Sequence, residues 1–222
     1  MKGAMTKARL DAADLLFRAV ELARARAGRT LLAFAATGGV VVAGHFLMPS
    51  VPGLGFVWWA ILLYCEFDLT AAALKGLGRL PAGHSIQRFW PMAGLCLASE
   101  FAIMLGFGFF IIPGFIFAAR WLLSGPILLA EETDIRTAFG QSWERTQGDG
   151  WPLVTVILLL FAPFFTAAAI EAILQARGAE TRLLVEIGAL LAYAGLVMSW
   201  LAAVAAYEQR SAGPLPLEKV FT

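Results

Sequence analysis

Six ionisable side chains, Glu66, Asp68, Glu100, Arg120, Glu171 and Glu186, stand inside long apolar runs of a 222-residue chain. A charge in hydrocarbon is expensive, so such residues are candidates for function or for pairing with one another. Counted from one end of each run at about 1.5 Å per helical residue, Glu66, Asp68 and Glu100 fall roughly 16–20 Å deep, and Arg120, Glu171 and Glu186 about 5–9 Å deep. The shallow layer predicts a structural ion pair in which Glu171 or Glu186 neutralises Arg120 and clamps neighbouring helices. The deep layer, an intramembrane polar site of three carboxyls, has no basic partner in view. Carboxyls crowded into a low-dielectric site oppose one another's ionisation, so at least one of the three should carry a proton. Glu66 and Asp68 lie about 200° apart around a helix and cannot face one partner. Two readings stay open. Glu100 with one of them forms a proton or cation site, or the acids are neutral and bonded to backbone carbonyls, Tyr64, Ser99 or Thr70.

The elements that must position these groups follow from composition. The chain is 59% hydrophobic and 15% charged, with a mean hydropathy of +0.75. Soluble domains are about 45–50% apolar and about a quarter charged, and need polar residues to cover their surface. The excess marks an integral membrane protein. A transmembrane helix takes roughly 20 mainly apolar residues, and six segments qualify: 30–48, 55–75, 91–112, 115–131, 152–174 and 182–206. The start of the chain is charged and amphipathic and shows no signal-peptide pattern. Lys and Arg accumulate on the cytoplasmic side of a membrane. Fourteen of the seventeen, among them Lys2, Lys7, Arg9, Arg26, Arg29, Arg88, Arg145, Arg210 and Lys219, fall in segments that six spans put on one side, and only Arg177 and Arg182 on the other. Both termini are therefore expected in the cytoplasm of a bacterial inner membrane. The division is an N-terminal amphipathic helix over 1–29, a six-span domain over 30–208 and a tail over 209–222.

The expected fold is all-α: six transmembrane helices as three antiparallel hairpins, each preceded by a cytoplasmic interfacial amphipathic helix. The outer turns are short, at 49–54 and at Ile112-Pro113-Gly114. Ala12, Leu15, Leu16, Ala19, Leu22 and Ala23 form one helical stripe, and Ile135, Ala138, Phe139, Ser142 and Trp143 another, both at the i, i+3, i+4 spacing of an apolar helix face. Asp134 would cap the second, with Ile135, Phe139 and Trp143 as its interfacial anchor. Ser85 would cap a short turn presenting Ile86, Phe89 and Trp90. Such helices lie in the interface with the apolar face down. Trp90-Pro91 and Trp151-Pro152 open two of the spans alike, which suggests a threefold repeat of helix plus hairpin. Pro126 beside Ser124-Gly125 predicts a kink in the fourth span, and the glycines of 104–114 predict packing notches.

Ile112-Pro113-Gly114, Arg120-Trp121, Pro126, Glu131, Ala138, Ser142-Trp143, Thr146 and Gly148 resemble the membrane domain fused to some glycerophosphodiester phosphodiesterases, which also has stand-alone bacterial relatives of unknown function. The motif covers about 37 residues. The resemblance implies a helical inner-membrane protein and little chemistry, because the stand-alone relatives lack an assigned activity. The soluble hydrolase barrel is missing here, so phosphodiesterase activity is not carried over.

Catalytic patterns are incomplete. Glu131-Glu132-Thr133-Asp134-Ile135-Arg136 matches the Glu-Glu-x-x-x-Arg element of intramembrane prenyl-protein proteases, but the histidines that would complete that site in later spans are missing: His45 and His84 both lie upstream. Acids opening a helix suit its N-terminal dipole. Ser124-Gly125 lacks the later histidine of a rhomboid-type protease for the same reason. Cys65 and Cys96 lie in apolar runs, and neither a metal-ligand spacing nor a phosphate loop occurs, so no metal or cofactor is expected. The basic and acidic residues nearly cancel, which leaves no footprint for nucleic acid. Two functions remain. One is a non-enzymatic scaffold or accessory subunit that contacts membrane lipid, a protein partner or a second copy. The other is a small proton- or cation-linked transporter or lipid-handling protein working through Glu66, Asp68 and Glu100. A cavity reaching Glu100 would favour the second, and a dry packed core the first.

Overall fold

The computed structural model of the chain describes residues 10–47, 54–80 and 86–211, which are mostly helical and contain no strand. Lys2, Lys7, Arg9, the 49–53 turn, His84, Ser85 and Lys219 lie outside the described residues, as does the side chain of His45. The helices are α1 (Ala12–Ala25), α2 (Ala27–Leu47), α3 (Leu54–Gly76), α4 (Phe89–Phe109), α5 (Ile111–Trp121), α6 (Ser124–Ala130), α7 (Ile135–Arg145), α8 (Gly150–Ala176) and α9 (Arg182–Ser211). Five stretches among the described residues are long and apolar enough to cross a membrane: Gly55–Gly76, Ile86–Phe109, Ile112–Ala130, Gly150–Ala176 and Leu183–Ser211. The chain is a multi-pass membrane protein. The first expected span coincides with α2, which is not one of these five.

The core lies toward the end of the bundle where α1 sits. The last turns of α9 are wrapped by protein: Leu201, Val204, Ala205 and Ala206 are fully buried, and α9 touches α1, α2, α3, α6 and α8. A run of alanines lets five helices approach one axis. At the far end the apolar side chains point outward, Phe101, Met104, Phe109 and Ile173 among them. Hydrocarbon, unlike water, sets no penalty on such a surface.

Helix α1 begins at Asp11, whose carboxylate accepts from the N–H groups of Ala13 (2.8 Å) and Asp14 (3.2 Å), satisfying two of the donors a helix start leaves open. Its stripe is buried at Leu15, Ala19 and Leu22. The surface that covers it is α9 and α8, not lipid. The expectation that this stripe faces lipid is corrected here, because the alanine face of α9 supplies a protein surface of matching shape. The second unit departs further. Among the described residues a three-residue 3-10 turn, Ile86–Arg88, precedes α4, too short to bury a stripe by itself.

Two turns are decided by proline and glycine. The chain reverses at Phe110, the single extended residue (φ −156°, ψ 139°) between α4 and α5. The expected Ile112-Pro113-Gly114 turn is instead the first turn of α5. Proline is tolerated there because the N–H it lacks has no helical acceptor. Gly114 lets the two helices close: a Cβ on Gly106 would stand 2.9 Å from the Gly114 backbone. The predicted kink falls at Leu122–Leu123, between α5 and α6. The Pro126 ring occupies the place of the donor for the Leu122 carbonyl, four residues back, and crowds that oxygen. Ser124 Oγ then donates to the Trp121 carbonyl at 2.6 Å, satisfying another group the break exposes.

Candidate functional site

A cavity of about 640 Å³ opens between α3, α4, the α5–α6 break, α8 and α9. Each helix contributes one face. On α4 this is Met92, Cys96, Ser99 with Glu100, Ile103 and Phe107, and on α9 it is Leu196, Ser199 with Trp200 and Ala203. These spacings are the i, i+3, i+4, i+7 of a single helix side. The kink brings Trp121, Ser124 and Pro126 to the wall. Most of the lining is apolar, and the acids in it are Glu66 and Glu100.

The three carboxyls of the deep layer part company. Glu66 and Glu100 reach the same cavity, and Cys96 shares its wall. Trp59 Nε1 donates to Glu100 at 3.1 Å. Asp68 instead pairs with Arg29 at 2.7 Å, which corrects the expectation that this layer lacks a basic partner. The angular argument holds: residues two apart on α3 face opposite ways, and the side turned from the cavity meets the start of α2. Arg29 was counted as a loop cation, but its long side chain reaches along the helix surface. Of the hydroxyl partners considered for neutral acids, Ser99 donates to the Cys96 carbonyl at 2.9 Å, and Tyr64 is exposed.

The clamp of the shallow layer is also corrected. Among the described residues, no ion pair within 4.0 Å joins Arg120 to Glu171 or Glu186. The Arg120 guanidinium lies over the Trp143 ring, 5.3 Å from its centroid, within cation–π range. Glu171 accepts from Gln175 at 2.7 Å. Depth was measured from the far ends of the helices as though all were equally long. Helix α8 has 27 residues and α9 has 30, about 40 Å or more at 1.5 Å per residue, against a hydrocarbon core of about 30 Å. Glu171 and Glu186 stand on these longer helices, while Arg120 lies at the end of a short helix and turns toward α7.

Helix α7 is a docked element. Asp134 caps it, accepting from the N–H groups of Arg136 (3.1 Å) and Thr137 (3.3 Å) and from the Thr137 hydroxyl. Ala138, Ser142 and Thr146 are fully buried. Ser142 Oγ donates to the Arg120 carbonyl at 2.7 Å, and Thr146 Oγ1 reaches it at 3.4 Å. The expected lipid anchors face protein in part: Ile135 packs at Gly94 of α4, Phe139 lies 4.8 Å from the Trp121 ring, and Trp143 carries Arg120. Gly148 ends the segment at φ +89°, a left-handed conformation that glycine adopts without steric cost.

Beneath α7, Arg145 forks onto Glu131 at 2.5 and 2.7 Å, and Tyr207 donates to the same carboxylate at 3.1 Å. Burial disfavours the Glu131 charge, but the Arg145 hydrogen bonds and charge, with Tyr207, outweigh it and hold the carboxyl below its ordinary value. Folding therefore favours the ionised form. The contribution is full above the unfolded value of about 4.3 and is lost as pH falls through the lower folded value. The stability gap between the native chain and Glu131→Gln should narrow between pH 5 and pH 3 in thermal melts. A gap that stays constant over that range would contradict the pairing.

Sequence reasoning missed the deepest ion pair, Asp149 with Arg210, whose side chains are 3% and 4% exposed. Asp149 also accepts from the Leu10 N–H at 3.1 Å. These three groups come from distant parts of the chain, and no local spacing announces them. Ser124 and Ser199 were missed as cavity-lining groups, although each shares a helix face with residues that could have flagged it. Compared with models of protein families, with curated proteins and with solved structures, the chain matches none of them.

Proposed function

We propose that the protein is a six-span bacterial inner-membrane protein, with α2 as the first span and both termini cytoplasmic, that accommodates an amphiphilic molecule in the cavity between its helices. The observation that carries this reading is an apolar cavity of about 640 Å³ that ends at two carboxyls, Glu66 and Glu100. Sites for small molecules are concave, mostly apolar and a few hundred cubic ångströms in size, with a small number of placed polar groups. A helix broken at membrane depth beside such groups is the construction that transporter sites use, and Leu122–Leu123 supplies it here. The reading is of binding and handling, with the two carboxyls as the placed polar groups. The three hairpins and the Arg-Trp … Ser-Trp-x-x-Thr-x-Gly motif belong to the scaffold that builds the cavity.

The accessory-subunit reading needs free amphipathic faces. Helices α1 and α7 offer few, since their stripes are largely spent on α8 and α9 and on α4 to α6. Extraction into native nanodiscs followed by mass spectrometry separates the two. The proposal expects an amphiphile retained at about one per chain, lost when Ser199→Phe fills the cavity. A stoichiometric protein partner with no retained small molecule would overturn it in favour of the accessory subunit.

A further inference from the structure

We propose that the molecule held in this cavity is a lipophilic cation, an apolar body with a positively charged head placed between Glu66 and Glu100. The inference rests on the cavity being a binding site and goes on to assign the charge of its ligand.

Three observations lead to it. The first is the sign of the wall: Glu66 and Glu100 both reach the cavity, and among the described residues no Lys or Arg lines it. The arginines that might have answered them are committed elsewhere, Arg29 to Asp68, Arg145 to Glu131 and Arg210 to Asp149. The second is the direction of the hydroxyls. Ser99, Ser124 and Ser199 each donate to the carbonyl three residues back in their own helix, Cys96, Trp121 and Leu196, at 2.9, 2.6 and 2.7 Å. Each proton is thereby used inside the helix, and what the hydroxyls can still offer the cavity is acceptor lone pairs. The third is that the donor beside Glu100, Trp59 Nε1, is already spent on that carboxyl. Next to the two carboxyls the polar wall is thus mainly acceptor, the remaining donors of the lining being the Thr70 hydroxyl and the indole N–H groups of Trp121 and Trp200.

That pattern selects by charge. A phosphate or carboxylate head placed beside Glu66 and Glu100 would meet two acidic groups and no cationic side chain among the described lining residues, and would lose its hydration with little compensation. A cation would meet two carboxyls in surroundings where their attraction is little screened. Trp121 and Trp200 are also in the wall, and aromatic faces attract desolvated cations. The remaining apolar wall takes the body of the ligand without regard to charge.

Two probes of nearly equal shape and opposite sign test this: tetraphenylphosphonium and tetraphenylborate, each measured by equilibrium dialysis against the full chain in nanodiscs of zwitterionic lipid. The expected result is saturable binding of the phosphonium at about one per chain and no saturable binding of the borate. Glu66→Gln with Glu100→Gln should weaken the phosphonium at least tenfold while the protein stays monodisperse. Ser199→Phe, which keeps both acids, should also remove it. Equal binding of both ions, unchanged in the double glutamine variant and lost in Ser199→Phe, would overturn the cation assignment and leave the cavity as a charge-blind site. Phosphonium binding that survives both variants would place the ion outside the cavity and overturn the assignment as well. Binding of neither ion, together with no amphiphile retained from native membranes, would overturn the binding reading itself.

Discussion

Replacing Asp149 by leucine should lower the stability of the folded protein by about 3–5 kcal/mol, the cost of leaving a buried charge without its partner. Asp149 and Arg210 are among the least exposed charged side chains in the chain, and they tie the start of α8 to the end of α9. The same carboxylate holds the Leu10 N–H at the entrance to α1, so the substitution also frees a buried donor. Arg18 with Glu208 makes the instructive contrast. It is a fork of two bonds at 2.7 Å, but both side chains are about a third exposed, and pairs of that kind contribute about 1 kcal/mol or less. The double change Asp149→Leu with Arg210→Met should recover much of the loss, because an apolar pair has no charge to desolvate. Titration with sodium dodecyl sulfate from mixed micelles reads both quantities. A loss below about 1 kcal/mol for Asp149→Leu would mean that water reaches the pair.

The second large effect is expected at Gly195, where α9 meets α8. A methyl group there would place its carbon 2.6 Å from the Leu160 carbonyl oxygen and 3.2 Å from the carbonyl carbon. Both are backbone atoms that no rotamer change can move aside. Gly195→Ala should therefore cost about 1–3 kcal/mol through overpacking, despite the better helix propensity of alanine. Helices in lipid associate through close packing at small residues, so the substitution separates the pair that forms one wall of the cavity. Gly140 on α7 is the control, since an added carbon there meets nothing within 4 Å. Alanine at 140 should be neutral or stabilising by up to about 1 kcal/mol. Equal effects at the two positions would contradict the close approach.

Several features were legible in the sequence because they depend on neighbours along the chain. The stripe Leu15, Ala19, Leu22, the cap at Asp134, the break before Pro126 and the opposed directions of Glu66 and Asp68 all follow from helical geometry over a few residues. What the stripes pack against did not follow, since an apolar face reads the same whether lipid or protein covers it. The alanine-rich end of α9 decides that question, and it lies about 190 residues from α1. The position of Arg120 was misjudged because depth along a helix carries no information on where helices end relative to one another. Of the three acids assigned to one site, the structure brings two together, and the third is drawn off by Arg29. The cavity was legible only as a condition, an opening that reaches Glu100, because an empty volume belongs to the packing of five elements and to no segment alone.

The central claim, that the space between α4, the α5–α6 break, α8 and α9 holds a molecule, is tested most directly by an experimental density map of the protein in lipid nanodiscs. The account predicts non-protein density in the cavity with one end within hydrogen-bonding distance of Glu66 and Glu100, and its loss in Ser199→Phe. Helices closed onto one another with side chains filling that space would contradict it.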